Sequence, residues 1–498
     1  VINQPGDMTT ARFFEDGELS FPAHVLRHTG SRAAIVFRGE NGVRTEISFD
    51  ELRARVAEAA AGLRAAGVVK GDRVAAFLPN CPEAIIAMLG ATSLGAIWSS
   101  CSPDFGINGV VDRFGQIRPK VLIAADGYFY NGKRFDSLDA VRGVLDRIDS
   151  IQTTVIVPFT GAEFDVNGIR GAMSWDRLLV PGAEPDFRPM PFNHPLYIMY
   201  SSGTTGVPKC IVHGAGGSLV QHVKEHMLHC DLGPEDRLFF FTTCGWMMWN
   251  WLVSGLIVGA TIYLYDGSPF HEDGRVLWRM ADEEKLTAFG SGAKFLSAIE
   301  KAGVRPGEEF DLSSLKTIFS TGSVLAPESF DFIYEAISAD VQVASISGGT
   351  DILSCFAGGN PMLPVRRGEL QCLALAMDVQ IFDDEGMPMV GENGELEHCA
   401  AIMHPVLGKP MRGNVGGGKA LIPSAKKLGI PGAALDVPLG FKDAAFVRSH
   451  FDAMEVRIPD APRADELVLI VVVTDAGRPL PRIGGLKKED AKCEDGLR

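Results

Sequence analysis

The stretch Tyr200–Cys210, "YSSGTTGVPKC", combines the residue types that bind a phosphate group. Its two glycines permit positive φ angles and a close backbone approach, its hydroxyls can donate to phosphate oxygens, and its lysine supplies positive charge. The candidate phosphate-binding residues are Ser201, Ser202, Gly203, Thr204, Thr205, Gly206 and Lys209. The segment does not fit the Walker A spacing. A plain polar turn is the alternative interpretation of these residues taken alone.

Two further segments have residue types suited to a nucleotide or small-acid site. "SISGGTD" places a threonine and an aspartate directly after Gly348 and Gly349, although such a string also suits an ordinary turn at the end of a strand. "GWMMWNW" holds three tryptophans within six residues, a density that is more typical of core packing than of a binding site. The residues alone leave both interpretations open.

Several segments together carry a family resemblance. "YSSGTTGVPK" resembles the phosphate loop of the adenylate-forming acyl-CoA synthetases, and "PKCIVHGAGG", "FTTCGWMMWNWLVSGL", "TGSVLAPESF" and "SISGGTDILSCFAGGNP" resemble the acetoacetate–CoA ligase family within that superfamily. The resemblance runs from near the N-terminus to about Glu395. It implies that ATP activates acetoacetate, or a similar short acid, to an acyl-adenylate, and that the acyl group then passes to coenzyme A.

The resemblance also implies roles for individual residues. Lys209, Thr350 and Asp351 would be catalytic, with Thr350 contacting the adenylate phosphate and Asp351 holding Mg²⁺, where the wider family more often has glutamate. A carboxylate that attacks a phosphate meets anionic repulsion, which Lys209, the N–H groups of the loop and Mg²⁺ would offset. The implied small-molecule partners are therefore the acid, ATP with Mg²⁺, and coenzyme A as a co-substrate.

Other residues would contact the adenylate and the acyl group. The implied adenylate-contacting residues are Gly322, Ser323, Val324, Gly348, Gly349 and Thr350. Trp246 and Trp249 are candidates for limiting the length of the acyl group. A small 3-oxo acid needs a short pocket with a polar group for its ketone, and His213 is the candidate for that contact. A structural histidine with its hydrogen bonds satisfied inside the protein is the alternative for His213.

Alternating strand and helix patterns surround these segments and predict an α/β fold. "AAIVF" predicts a strand, and the helix after it begins with a capping box at Ser48 and Glu51 and ends at Gly67. A helix is also predicted at "GSLVQHVKEHML", shortly after the phosphate loop. Such alternation is typical of mostly parallel sheets covered by helices. This pattern predicts the α/β class, and the family resemblance implies a large adenylate-forming (AMP-binding) N-terminal domain over residues 1–396.

The tail departs from the ligase pattern and is predicted to form a small, atypical α/β module over residues 397–498. From about Gly391 it resembles the amino acid synthesis family, on segments such as "GENGELEHCAAIMHPVLGKPMR" and "GRPLPRIGG". Lys487 is a weak match to the catalytic lysine of the usual C-terminal domain, because Leu486 replaces the glycine before it. The chain can thus be read as a natural fusion or as a chimera. Full ligase activity, nucleotide binding without turnover, and a separate activity of the tail remain open.

Composition narrows the classes of partner. The 47 basic and 62 acidic residues give a formal net charge of −15, which argues against a nucleic-acid partner because there is no broad basic surface to neutralise phosphates. The scattered cysteines are typical of a reducing compartment, and the N-terminal sequence does not have the pattern of a signal peptide. The apolar runs are too short for a membrane span, so a cytoplasmic protein is predicted. His398, Cys399 and His404 do not have the spacing of a zinc site. The sequence leaves the oligomeric state open.

Overall fold

In the computed structural model, the described part of the protein comprises residue 14 and residues 16–201 and 207–377. The backbone is also described for strands within 379–382, 388–389 and 400–402. Residues 202–206 of the predicted phosphate loop lie outside the described residues. So do Lys487, the trio of His398, Cys399 and His404, and nearly all of the predicted module from residue 397.

The strands and helices alternate along most of the described chain. In chain order the strands are β1 (Glu18–Leu19), β2 (Ala33–Gly39), β3 (Arg44–Ser48), β4 (Arg73–Phe77), β5 (Ile97–Cys101), β6 (Val121–Ala125), β7 (Gly127–Tyr130), β8 (Lys133–Asp136), β9 (Thr153–Val157), β10 (Ala172–Ser174), β11 (Met190–Pro191), β12 (Pro195–Ser201), β13 (Lys209–Gly214), β14 (Arg237–Phe240), β15 (Thr261–Asp266), β16 (Ala288–Gly292), β17 (Thr317–Thr321), β18 (Gln342–Ser345), β19 (Ser347–Gly349), β20 (Ser354–Gly358), β21 (Cys372–Leu373), β22 (Val379–Phe382), β23 (Pro388–Met389) and β24 (Ala400–Ile402).

The α-helices are α1 (Phe21–Val25), α2 (Phe49–Ala65), α3 (Pro82–Ser93), α4 (Ile107–Ile117), α5 (Leu138–Leu145), α6 (Trp175–Leu178), α7 (Ala215–Lys224), α8 (Met247–Ser254), α9 (Val276–Glu283), α10 (Ala293–Lys301), α11 (Pro306–Glu309) and α12 (Pro327–Ala336). Helix α7 continues directly into a turn of π-helix, Glu225–His229, which we call the π turn. Short 3₁₀ turns cover Gly255–Val258 and His271–Gly274.

Two seven-stranded sheets form the framework. The first has the order β10-β9-β6-β4-β5-β12-β13, and its strands run parallel except for β13, which pairs antiparallel with β12. The second has the order β18-β17-β16-β14-β15-β2-β3 and is parallel up to its antiparallel edge strand β3. The predicted helix-covered, mostly parallel sheets are confirmed.

Smaller sheets complete the described part. The strands β19, β20 and β21 form an antiparallel sheet, in which β19 and β20 make a hairpin. The remaining strands pair as β23-β22-β24, as β1 with β11, and as β7 with β8. The β19–β20 hairpin follows the second large sheet directly in the chain, so residues 350–353 at its tip lie close to the ends of the sheet strands.

Helices pack against both faces of the two large sheets. One core cluster joins residues of both sheets through α2 and α3, including Val74 of β4 and Leu238 of β14. A second cluster covers the other face of the second sheet with α9, α10 and α12, and a third covers the other face of the first sheet with α4 and α5. The result is a five-layer arrangement of helices and sheets, in which each sheet is buried on both faces.

Helix α2 forms as its sequence predicts. The Ser48 hydroxyl accepts a hydrogen bond from the Glu51 amide at 3.2 Å, which satisfies one of the free N–H groups of the first turn. Gly67 follows the helix with φ +83°, a conformation that glycine adopts without strain. The region after the phosphate loop differs from expectation, since the strand β13 precedes the predicted helix and forms a hairpin with β12.

Within the described ranges, no helix is both long and apolar enough to cross a membrane.

Candidate functional site

A cavity of about 390 Å³ lies where β12 and β17 end against the β19–β20 hairpin. The carboxyl ends of parallel strands are the usual place for a ligand in an α/β protein. Its wall includes polar, aromatic and glycine residues from several strands and helices: Arg113, Tyr200, Ser201, Glu225, His229, Trp246, Trp251, Thr321, Gly322, Gly348, Gly349, Thr350, Asp351, Ser354, Gly358 and Gly359. The cavity therefore joins three motifs that are far apart in the sequence.

The described part of the phosphate-loop motif lies at one end of this cavity. Ser201 is the last residue of β12, lines the cavity and pairs in register with Lys209, the first residue of β13. The two strands thus hold the ends of the loop together. Both residues are partly exposed, so their side chains remain accessible to a ligand.

The tip of the β19–β20 hairpin brings Thr350 and Asp351 to the same cavity. Both residues are partly exposed there. Gly348 is required by the pairing of the two strands, because a Cβ atom at this position would lie 2.1 Å from the Ser354 carbonyl oxygen. The close pairing turns the hairpin sharply, and Leu353 adopts a positive φ of 51° after the turn.

Gly322 lines the cavity beside the aromatic segment, whereas its neighbours are placed differently. It has φ +84°, and a Cβ atom there would lie 3.3 Å from the Trp246 ring. Ser323 and Val324 follow it in the chain and are partly exposed, but they are not among the residues that line the cavity. Of the three residues predicted for this segment, Gly322 is the one that faces the cavity.

The three tryptophans have different surroundings. Trp246 is partly buried, packs edge-on against Phe240 and lines both this cavity and an adjoining one of about 30 Å³. Trp249 is 0% exposed, and its indole N–H donates to Asn80 Oδ1 at 3.0 Å. Trp251, which the sequence did not single out, also lines the cavity. Trp249 therefore packs in the core, away from the cavity wall.

His213 lies in β13 and is 3% exposed. Its Nε2 lies 2.8 Å from the carbonyl oxygen of Thr350, and the residue does not line either cavity. His213 thus ties β13 to the tip of the hairpin that presents Thr350 and Asp351. A direct contact between His213 and an acyl group remains a prediction, and the structure shows His213 beside the Thr350 carbonyl.

A set of polar contacts continues from His213 along the hairpin. His222 Nε2 lies 3.2 Å from the Leu353 carbonyl, and Glu225 accepts from the Ser354 hydroxyl at 2.5 Å and from the Cys355 amide at 3.1 Å. His229 Nδ1 donates to the Gly359 carbonyl at 2.8 Å, while its Nε2 accepts from the Leu375 amide at 2.9 Å. Helix α7 and the π turn thereby fix β20 along its length.

Glu225 is the most deeply buried acidic group of the cavity wall, at 4% exposure. Burial by itself raises its pKa, but the nearby Lys224, His222 and the hydrogen bonds from Ser354 and Cys355 outweigh burial, so the pKa of Glu225 lies below its ordinary value. The carboxyl is therefore ionised at neutral pH. Glu225, His229 and Ser354 were not predicted from the sequence as site residues. For Glu225 the sequence holds one signal, which is its position as the acidic residue within the histidine-rich string "HVKEHMLH".

Arg113 places a cation in the wall near Tyr200. Its guanidinium lies 4.5 Å from the Phe105 ring centroid and 5.7 Å from that of Tyr200, and Nη1 donates to the Gly109 carbonyl at 2.7 Å. These contacts hold the guanidinium in place, so its charge acts from a fixed position. Together with the Ser201 and Thr350 hydroxyls, it makes this end of the cavity suited to an anionic group.

Comparison with known proteins identifies the family. The AMP-binding enzyme family matches residues 22–398, and the family described as Amino acid synthesis matches residues 386–484. An acetoacetyl-coenzyme A synthetase of Rhizobium meliloti (strain 1021) is 55% identical over 392 residues, which cover 78% of this chain and 60% of the relative. An acetoacetyl-CoA synthetase of Mus musculus is 44% identical over 405 residues, which cover 80% of this chain and 60% of the relative.

The solved structure of an acetoacetyl-CoA synthetase from Streptomyces lividans matches with a TM-score of 0.74 at 44% identity, covering 79% of this chain and 61% of that one. The chain spans about 60% of the length of the curated relatives that it matches. The resemblance predicted for the first four fifths of the sequence is confirmed, and so is that of the tail to the amino acid synthesis family. The chain belongs to the AMP-binding enzyme family.

Proposed function

We propose that this protein is an acid–thiol ligase that uses ATP to activate acetoacetate, or a similar short acid, and transfers the acyl group to coenzyme A. The observation that carries the proposal is the cavity in which Ser201, Thr350 and Asp351 lie together with Trp246. It is supported by 44–55% identity to proteins named acetoacetyl-CoA synthetase.

The proposed first step joins the acid to AMP. A carboxylate oxygen of the acid forms a bond to the α-phosphorus of ATP, and the bond from that phosphorus to the pyrophosphate oxygen breaks. Lys209, Arg113 and the hydroxyls of Ser201 and Thr350 would offset the repulsion between the two anions. In the proposed second step, the thiolate of coenzyme A attacks the acyl carbon and AMP leaves.

Mg²⁺ fits the residues at the hairpin tip. Asp351 and Thr350 present a carboxylate and a hydroxyl to the cavity, and oxygen atoms are the ligands that Mg²⁺ prefers. Asp351 would hold the ion together with phosphate oxygens of the nucleotide. When bound, Mg²⁺ would neutralise part of the phosphate charge.

The adenylate and the acyl group have proposed places in the same cavity. Gly322, Gly348 and Gly349 leave room for the backbone to approach the nucleotide, with Ser323 and Val324 beside it. Trp246 would limit the length of the acyl group directly, while Trp249 and His213 would act from behind the wall. This division of roles follows from which of the side chains face the cavity.

Two assays test the proposal with the full chain. Acetoacetate-dependent exchange between ATP and labelled pyrophosphate reports the first step, and formation of acetoacetyl-CoA reports the second. We expect exchange that depends on acetoacetate and falls when the acid is omitted. Binding of ATP without exchange and without thioester would refute the ligase function and leave a nucleotide-binding protein. Exchange without thioester would restrict the protein to adenylation.

Domain organisation and location belong to the same proposal. A boundary near residue 396 predicts that limited proteolysis cuts close to residue 400, and a first cut well inside residues 16–377 would refute it.

A cytoplasmic location is supported by the free thiols of the described cysteines, which are typical of a reducing compartment.

A further inference from the structure

The smaller of the two cavities, with a volume of about 30 Å³, lies beside the hairpin tip, and we call it the side pocket. Four residues line both cavities, namely Tyr200, Trp246, Met247 and Thr350. A buried water molecule needs about 10–15 Å³, so the side pocket has room for roughly two or three heavy atoms. It is therefore a short recess next to the residue that would contact the adenylate phosphate.

A row of side chains across the first sheet connects the hairpin tip to the wall of the side pocket. Tyr197 of β12 pairs in register with Trp98 of β5 and with His213 of β13, so the three side chains leave the same face of the sheet. His213 lies against the Thr350 carbonyl, while Tyr197 and Trp98 line the side pocket. Ser201 leaves the same face of β12 four positions after Tyr197, beside the phosphate loop. An acid that reacts between Ser201 and Thr350 would therefore point its other end toward Tyr197.

Two buried donors of this wall lack a well-formed hydrogen bond to the described residues. They are the Tyr197 hydroxyl and the Trp98 indole N–H, and both residues are 1% exposed. Burial raises the pKa of the Tyr197 hydroxyl well above its ordinary value, and the nearby Asn250 side chain offsets this only in part. The hydroxyl therefore keeps its proton. Because unpaired buried donors are costly, a ligand oxygen that accepts from them would gain affinity.

Neighbouring polar groups are already paired inside the protein. The Ser100 hydroxyl donates to the Cys244 carbonyl at 2.6 Å, and the Tyr200 hydroxyl accepts from the Ser99 hydroxyl at 2.9 Å. Trp249, whose ring stacks on that of Trp98 at 6.5 Å, donates its own indole N–H to Asn80. Tyr197 and Trp98 thus differ from these neighbours in having donor capacity left for a ligand.

We propose that the side pocket takes the ketone group of the acid, with the Tyr197 hydroxyl and the Trp98 indole N–H donating to the ketone oxygen. This inference rests on the proposed function. A carbonyl oxygen has two lone pairs and can accept from both donors. An acid of equal length without this oxygen leaves both donors unpaired, and sites built to bind an oxygen in this way reject analogues that lack it. Tyr197 and Trp98 therefore distinguish 3-oxo acids from simple short acids.

The test compares affinities of adenylate mimics for the full chain. The probes are 5′-O-(N-acylsulfamoyl)adenosines that carry an acetoacetyl or a butyryl group, which have the same number of carbons and differ in the ketone oxygen. Isothermal titration calorimetry at pH 7.5 measures both. We expect the wild-type protein to bind the acetoacetyl mimic more tightly by about fivefold or more. In Tyr197→Phe, which removes only the hydroxyl, this preference should fall by about threefold or more through weaker binding of the acetoacetyl mimic.

A matched control and a second variant accompany Tyr197→Phe. Tyr263→Phe removes a hydroxyl from a buried tyrosine on β15 that lines neither cavity, and it should leave the preference unchanged. Trp98→Phe removes the other donor and should also lower the preference, by about twofold or more. It tests the proposal independently if Tyr197→Phe does not fold.

Three outcomes contradict the inference while leaving the proposed function intact. A wild-type preference below about fivefold refutes it without any variant. A folded Tyr197→Phe or Trp98→Phe variant that keeps the wild-type preference refutes it, and so does an equal fall in Tyr263→Phe. If the folded wild-type protein binds neither mimic, the adenylate-forming function itself is refuted, and the inference falls with it.

Discussion

The two ends of the cavity are built in different ways. At the end near the phosphate loop, Ser201, Thr350, Asp351 and Arg113 are all partly exposed. We call these four residues the phosphate end. At the other end, Glu225, His229 and Ser354 are 3–4% exposed, and their polar atoms bind other atoms of the protein. We call these three residues the distal end.

This difference separates two kinds of task. Groups that are partly exposed can be reached by a ligand, as at the phosphate end. Groups that are buried and already paired gain little from a ligand, and they act through shape and charge. The phosphate end is therefore the part of the wall that is suited to ligand contact, and the distal end is the part that the protein's own hydrogen bonds hold in place.

The largest effect is expected from Lys209, beside the phosphate end. Lys209→Ala removes a cation that would offset charge on the reacting phosphate, and we expect acetoacetate-dependent pyrophosphate exchange to fall about 100-fold or more. Initial exchange rates at saturating ATP measure it. Lys294→Ala is the matched control, because it removes a lysine from an exposed position on α10. An unchanged exchange rate and ATP affinity in Lys209→Ala would contradict the phosphate role.

At the distal end, truncating Glu225 to alanine should lower the free energy of unfolding. Glu225→Ala leaves the donors of Gln221, Trp251, Ser354 and Cys355 without their acceptor, and unpaired buried polar groups are costly. We expect the free energy of unfolding to fall by about 2–3 kcal/mol, measured by urea denaturation.

Glu225→Gln keeps one acceptor oxygen and should lose about 1 kcal/mol in the same experiment. Equal stability of Glu225→Ala and the wild-type protein would show that the donors find other partners, and the contrast between the two ends would then disappear.

The same contrast explains what the sequence could predict about the site. The phosphate end is encoded by short local strings, in which glycines, hydroxyls and a charge follow one another, so Ser201, Lys209, Thr350 and Asp351 could be identified directly. The distal end depends on pairs far apart in the chain, since Glu225 and Ser354 are separated by 129 positions. It also depends on a π turn, and the helical pattern of "GSLVQHVKEHML" gives no sign that the hydrogen-bond spacing changes at Glu225.

For the fold, capping residues and residue patterns predicted a helix or strand correctly where tertiary contacts favour the same structure. The cap at Ser48 and the strand β2 at "AAIVF" follow from capping and residue pattern. The strand β13 was missed, because its pairing with β12 is decided by the hairpin across the loop. The tryptophan cluster divides between core and cavity in a way that is also non-local, since the indole N–H of buried Trp249 donates to Asn80, 169 positions away.

A smaller effect is expected from Trp246, which lines both adjoining cavities. Trp246→Ala should let a longer acyl group enter, and we expect the affinity for a hexanoyl-sulfamoyl adenosine relative to the acetoacetyl compound to rise about tenfold. Titration calorimetry measures both compounds. Trp249→Phe is the matched comparison, because Trp249 packs behind the wall and should change this preference less than Trp246→Ala does. A larger change in Trp249→Phe than in Trp246→Ala would reverse the assignment.

The last effect appears only as a change of stability with pH, and it concerns a second buried carboxyl group, which has fewer hydrogen-bond donors than Glu225. Asp266 lies at the end of β15, and its side-chain Oδ1 accepts a hydrogen bond from the backbone N–H of Asn80 at 3.0 Å. Burial, with smaller contributions from Asp104 and Glu40, raises the pKa of Asp266 to about 7. In the unfolded chain its ordinary value is 3.8. Between about pH 4 and pH 7 the folded protein therefore holds a proton that the unfolded chain has lost, and the free energy of unfolding falls as the pH rises.

Asp266→Asn removes this titration while keeping an oxygen for the Asn80 amide. We expect the variant to be about 2–3 kcal/mol more stable relative to the wild-type protein at pH 8 than at pH 5, measured by urea denaturation at both values. The same pair of measurements on Glu225→Gln should show no such gain at pH 8, because the pKa of Glu225 is lowered and its ionised form is the one that the fold stabilises. An equal gain in both variants would mean that burial, and not the number of donors, governs the two carboxyl groups.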